Sequence, residues 1–99
     1  MKIKTDLHTH TVGSTHGYST IRENAECAIS AGLEVIAITD HAPGMVDAPH
    51  SWHFEVLATD MVPRRVCDGG IVLLKGAECS FLNNNAELDL EDRVLKRLD

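Results

Sequence analysis

The sequence predicts an α/β fold with its elements in the order β-α-β-α-β. Three short apolar segments, at residues 2–7, 34–39 and 71–78, have the length and composition of strands. Segments with helical spacing separate them, and this alternation is typical of parallel strands joined by right-handed crossovers. Histidines or carboxylates lie at or just after the end of each predicted strand, and the carboxyl ends of parallel strands meet on one rim.

The first third of the chain is predicted as a strand, a loop and a capped helix. Residues 2–7 alternate in hydrophobicity, as a strand does, and residues 9–18 are rich in Gly, Ser and Thr, which favours a loop. Thr20 and Glu23 have the spacing of a capping box, so a helix is expected to begin there. Gly32 is suited to end that helix.

The remaining elements are predicted from composition and from helix-breaking residues. They are a strand at 34–39, a loop at 41–51, a helix at about 52–62, a strand at 71–78, a hairpin at 79–88 and a helix at about 90–98. The strand at 34–39 is nearly all apolar, as expected for a strand buried on both faces of a parallel sheet. Pro63 is expected to end the second helix, and Asp89 to cap the last one.

Metal-ligating residue types lie just where the predicted strands end. His8 and His10 are separated by one residue, and alternate residues of a strand point to the same face, so both imidazoles can reach one point. His41 follows the second strand, and Glu78 is the last residue of the third. Imidazole and carboxylate ligands suit zinc, manganese or iron. The rim of the sheet is therefore a predicted metal site.

Three further residues are candidates for the same site. His16, in the first loop, is placed to join His41 on another ion. Asp40 is either a ligand or a partner that orients a histidine. His53 either packs at a helix entry or lines a substrate pocket. Clustered metals would suit hydrolysis of a phosphate ester, because they hold the phosphate and activate water.

Length, charge and cysteine content narrow the class of protein. The 99 residues are enough for one small domain, and a net charge of −6 disfavours a nucleic-acid surface. No apolar run approaches the ~18 residues of a membrane span, and no secretory signal segment is expected. Three cysteines without CxxC spacing indicate reduced thiols and a cytoplasmic location.

Four segments carry a resemblance to a known family. DLHTHTVGSTHGYST, ITDHAP, DAPHSWHF and GAECSF resemble the PHP (polymerase and histidinol phosphatase) family, with the YcdX-type phosphatase branch as the nearest match. The resemblance covers essentially the whole chain. It implies a distorted (β/α)7 TIM-like barrel with up to three metal ions, zinc first and manganese or iron as alternatives. It also implies hydrolysis of a small phosphorylated substrate.

The resemblance also implies how the metal ligands are shared. His8 and His10 would bind one ion, Glu78 would bridge it to a second, and His16 and His41 would bind a third. The family's remaining ligands come from strands beyond residue 99. Residues 1–99 are therefore expected to be the N-terminal part of a PHP domain, completed by a missing C-terminal portion or by self-association.

Three functions remain open from the sequence. The first is a metal-dependent phosphoesterase, and the second is a partial domain that binds metal without catalysis. The third is the nuclease or proofreading PHP domain of a DNA polymerase. The short acidic chain and the segments typical of the phosphatase branch disfavour the third.

Overall fold

The computed structural model describes residues 1–99 and contains a four-stranded mixed sheet with three helices. The elements are β1 (Thr5–Thr9), α1 (Ile21–Ser30), β2 (Val35–Ile38), α2 (Trp52–Leu57), β3 (Arg65–Val66), β4 (Ile71–Lys75) and α3 (Asp92–Leu95). The strand order is β1-β2-β4-β3. The three predicted strands are parallel neighbours, which confirms the α/β class, whereas the short antiparallel β3 was not predicted. None of the helices is long and apolar enough to cross a membrane.

Strand β1 lies at the edge of the sheet and is shifted along the chain relative to the prediction. Its pairing with β2 starts at Thr5 opposite Val35 and ends at Thr9 opposite Ile38, with an irregularity between. The register starts at Thr5, although the Lys4 carbonyl already accepts the N–H of Glu34 at 2.8 Å. The shift places His8 within β1, and His10 directly follows the strand.

The core lies between helix α1 and the central strands. Thr20 and Glu23 form the predicted capping box, in which each side chain bonds the other residue's backbone N–H. Burial of β2 is also as predicted, since residues 36–38 are all buried. The buried cluster that joins helices to sheet consists of Ala25, Ala28, Ile36, Ile38, Leu57, Ile71 and Leu73. This packed layer supports the strand ends that carry the candidate ligands.

Several predicted elements are shorter than expected. Helix α2 ends at Leu57 because Thr59 Oγ1 donates to the carbonyl of Val56 and accepts the N–H of Met61, which turns the chain. Strand β4 ends at Lys75 rather than residue 78. The segment 79–88 forms only a single bridge, between Phe81 and Leu88, rather than a regular hairpin.

The last helix begins later than predicted and is not capped by Asp89. Its N-cap is Glu91, whose side chain makes no capping bond. The carboxylate of Asp89 instead accepts the backbone N–H groups of Gly44 and Ser80, at 2.8 Å each. It therefore fastens the loop after β2 to the segment after β4. A second buried cluster of Ala42, Phe54, Leu90 and Val94 forms beside it.

Candidate metal centre

The carboxyl ends of β1, β2 and β4 bring the predicted ligands to one rim. Beyond the regular strands, His41 and Glu78 still pair as an isolated parallel bridge. The N–H of Ala42 donates to the Glu78 carbonyl, and the N–H of Glu78 donates to the Asp40 carbonyl, each at 3.0 Å. The backbone therefore fixes the positions from which both side chains project.

The first donor group consists of His8, His10 and Glu78. The two Nε2 atoms lie 3.0 Å apart, and Glu78 Oε2 lies 3.1 Å from that of His8 and 3.0 Å from that of His10. The expectation that both imidazoles reach one point agrees with this geometry. A carboxylate oxygen and two imidazole nitrogens form a donor set that zinc, manganese and iron accept.

The second donor group consists of His10, His16 and His41, whose ligand atoms all lie within 4.8 Å of one another. The three ring centroids are 4.7 to 5.0 Å apart. His10 belongs to both groups, which the sequence pattern did not indicate. Burial lowers the pKa of His10, and the nearby charge of His41 lowers it further. Both effects favour the neutral imidazole, which is the form that binds metal.

The residues present fit a divalent metal ion. His41 Nδ1 is buried and has no hydrogen-bond partner, although Glu78 Oε2 lies 3.5 Å away. Buried polar atoms in proteins are nearly always paired, so an unpaired nitrogen in a cluster of imidazoles indicates a site for a ligand. Nitrogen and carboxylate donors without thiolate match a hydrolytic metal site better than a sulfur-rich structural one.

Asp40 is wholly buried, and hydrogen bonds from neighbouring residues occupy its carboxylate. Oδ1 accepts the Thr11 N–H at 2.7 Å and Ser14 Oγ at 2.9 Å, and Oδ2 accepts Thr11 Oγ1 at 2.6 Å. Ser14 Oγ in turn accepts the His41 N–H at 3.0 Å. Burial alone raises the pKa of Asp40, but the facing His53 and these hydrogen bonds outweigh it and hold the pKa well below its usual range. The geometry favours the positioning role of Asp40 over the ligand role.

His53 faces Asp40 and borders an apolar cavity. Its Nε2 is buried and lies 3.1 Å from Asp40 Oδ2. The cavity, of about 360 Å³, is also lined by Ile21, Trp52, Val56, Leu57 and Val62. Of the two interpretations of His53, this position is consistent with lining a pocket.

One residue beside the centre was missed by the sequence reasoning. Asp47 Oδ2 lies 2.6 Å from His16 Nδ1 and 3.9 Å from His41 Nε2. The hydrogen bond with His16 holds the pKa of Asp47 below its usual value. Asp47 lies in the middle of the loop at 41–51, far from any strand end, so the pattern that identified the other residues did not identify it.

The whole chain is similar to a known protein family and to several curated proteins. A family profile described as the PHP domain matches residues 6–95. A probable phosphatase of Photobacterium profundum is 44% identical over 99 residues, which are all of this chain and 39% of that protein. Probable phosphatases of Aeromonas hydrophila and of a Thermoanaerobacter species are 46% and 43% identical to it. Each alignment again covers all 99 residues of this chain and 39% of the relative. The chain therefore spans about 39% of the length of these curated relatives.

Proposed function

Because this chain belongs to the PHP domain family, we propose that it is part of a metal-dependent phosphoesterase. The relatives named as probable phosphatases support this class of reaction. The observation that carries the proposal is the position of one oxygen. Glu78 Oε2 lies 3.1 Å from His8 Nε2, 3.0 Å from His10 Nε2 and 3.5 Å from His41 Nδ1.

The proposed ligands are the five residues predicted from the sequence. His8 and His10 would hold one ion, and Glu78, with two carboxylate oxygens, would bridge it to a second. His16 and His41 would hold a third. Zinc is the first candidate, and manganese or iron suits the same donors. Divalent ions held here would supply charge stabilisation for a phosphate ester and activation of water at neutral pH.

The surrounding side chains have separate tasks in this proposal. Ser14, held by Asp40, fixes the backbone at His41 through one hydrogen bond. Asn24 donates from its side chain to the His10 carbonyl at 2.8 Å, so helix α1 also fixes the end of β1. His53 would contact the substrate from the cavity that it borders. The protein thereby orders the ligands before metal binds.

The rest of the assembly is part of the same proposal. Residues 1–99 would form the N-terminal part of a distorted (β/α)7 TIM-like barrel. A C-terminal portion, or a second copy of the chain, would complete the barrel and its ligand set. The substrate would be a small phosphorylated molecule. A cytoplasmic location agrees with three free cysteines.

The test is hydrolysis of p-nitrophenyl phosphate by the 99-residue chain after chelation and after adding zinc or manganese. Metal-dependent activity is expected, and it should be lost when His8→Ala and Glu78→Gln are combined. Glu87→Gln is a matched control, because Glu87 is exposed and belongs to neither donor group. Activity that survives the double substitution contradicts the proposal.

The alternative of a metal-binding partial domain without catalysis has one observation in its favour. The chain spans only 39% of its relatives, so ligands present in them need not be present here. Zinc retained on dialysis, without hydrolysis at any zinc or manganese concentration, would favour this alternative. Cleavage of single-stranded DNA with no action on the phosphomonoester would favour the nuclease instead.

A further inference from the structure

We infer that Asp47 is a positioning residue of the metal centre. Asp47 binds His16 at Nδ1 and leaves Nε2 of that ring for a metal ion. The inference rests on the metal centre of the proposed function and adds a residue to it. Without this contact, the His16 ring would have no hydrogen-bond partner. His16 lies in a loop between β1 and α1, and its side chain is 51% exposed.

Two contacts join the loop that carries Asp47 to the loop that carries His16. The Asp47 carbonyl accepts the N–H of Thr15 at 3.1 Å. The Asp47 side chain approaches the next residue, with Oδ2 2.6 Å from His16 Nδ1. One residue therefore fixes both the backbone and the imidazole at this point. Asp47 is the only residue that makes a hydrogen bond with His16 Nδ1.

The carboxylate determines which ring nitrogen carries the proton. An ionised carboxylate only accepts hydrogen bonds, so His16 Nδ1 must be the donor and Nε2 keeps its lone pair. Pairs of this kind fix the tautomer and orientation of metal-binding histidines. Asp47 Oδ2 is 3.9 Å from His41 Nε2, which is beyond hydrogen-bond distance. The hydrogen bond of Asp47 is therefore made to His16 alone.

The direct test is the tautomer of His16 in the metal-free chain, measured by ¹⁵N NMR of the imidazoles at a pH where they are neutral. The Nδ1–H form is expected in the wild type. Asp47→Asn should shift His16 toward the Nε2–H form, because an amide can donate to Nδ1. Zinc affinity should fall about 10- to 100-fold, as for other partners that orient metal-binding histidines.

Asp60→Asn is the matched control, since it removes one exposed carboxylate outside the centre and should leave both readouts unchanged. A wild-type His16 protonated on Nε2 overturns the inference without any variant. A zinc affinity unchanged by Asp47→Asn also overturns it, as does a wild type that binds no zinc. A chain with the Nδ1–H form and Asp47-dependent zinc binding but no phosphatase activity supports the inference and contradicts the proposed function.

Discussion

The Nε2 atoms of His8 and His10 lie 3.0 Å apart, and Glu78 Oε2 lies between 3.0 and 3.1 Å from each. Acceptor atoms this close repel one another unless a proton or a cation lies among them. The two histidines are not equivalent, because only His10 also belongs to the group with His16 and His41. His10 is therefore the residue through which the two donor groups are joined.

This difference predicts unequal effects of two substitutions on metal binding. His8 lies within reach of one group only, whereas His10 is the residue whose ring lies within reach of both. His10→Ala is therefore expected to lower zinc affinity by more than the ~100-fold upper range seen for loss of a partner that only orients a ligand. Isothermal titration and metal analysis after dialysis measure the two variants, and His8→Ala should retain more zinc.

The control for both variants is His50→Ala. His50 is exposed, and its nearest aromatic neighbour is Trp52, outside the candidate ligands. Its replacement should leave zinc binding unchanged. Equal losses for His8→Ala and His10→Ala would contradict the shared position of His10.

A second prediction concerns the pH dependence of stability. The hydrogen bond from Arg64 holds the pKa of Asp99 below its usual value of 3.8. A carboxyl whose pKa is lower in the folded chain contributes stability above the unfolded value, and the contribution is lost as pH falls through the folded value. Asp99→Asn should therefore lower the free energy of unfolding by up to about 1 kcal/mol at neutral pH, which is the range measured for exposed ion pairs. The difference should vanish in acid.

Urea unfolding over a series of pH values measures this difference. Asp60→Asn, which removes a carboxylate without a similar partner, should give a curve parallel to that of the wild type. A stability difference for Asp99→Asn that persists at the lowest pH would show that the ion pair with Arg64 is not its origin.

Sequence patterns predicted the parts of this structure that local chemistry determines. Two features could be recognised because each depends on residues close together in sequence. They are the capping box of Thr20 and Glu23 and the apolar run of β2. The convergence of His8, His10 and Glu78 followed from the rule that parallel strands end on one rim. That rule needs only the order of the elements.

The remaining features depend on long-range contacts that no local pattern shows. Asp89 was expected to cap a helix, but it binds Gly44, which is 45 residues away. Asp47 approaches His16 across 31 residues, between two loops with no periodicity. The pairing of β3 with β4 likewise involves only two residues, too few to produce a strand pattern.

A third prediction concerns the turn that carries His16. A Cβ on Gly17 would clash with the backbone oxygen of Thr11 and lie 2.9 Å from its carbonyl carbon. Backbone atoms cannot rotate away as a side chain can, so the turn must shift. Gly17→Ala should cost about 1–3 kcal/mol, as overpacking does, and should weaken zinc binding. Thermal unfolding and zinc titration measure both effects.

Gly76→Ala provides the comparison. The nearest atom to its added Cβ would be a methyl group of Thr39 at 3.2 Å, which is a milder contact. Its effect on stability should be smaller than that of Gly17→Ala. The reverse order would contradict the close approach between Gly17 and Thr11.

A fourth prediction separates the two roles considered for Asp40. Its carboxylate accepts three hydrogen bonds from Thr11 and Ser14 and is wholly buried. Asp40→Asn replaces one acceptor oxygen by an amide donor, which leaves at least one buried group unpaired and should cost about 1–3 kcal/mol. Because these bonds need no metal, the cost should appear in urea unfolding of the metal-free chain.

Unfolding of the metal-free chain separates the two roles, because a ligand role for Asp40 predicts a different effect of Asp40→Asn on stability. If Asp40 were a ligand, Asp40→Asn would weaken zinc binding while changing the metal-free stability no more than Asp60→Asn. If it positions the loop, the metal-free chain is destabilised first. Zinc binding then falls because Ser14 no longer holds the His41 backbone. Asp40→Asn with unchanged metal-free stability would therefore contradict the positioning role.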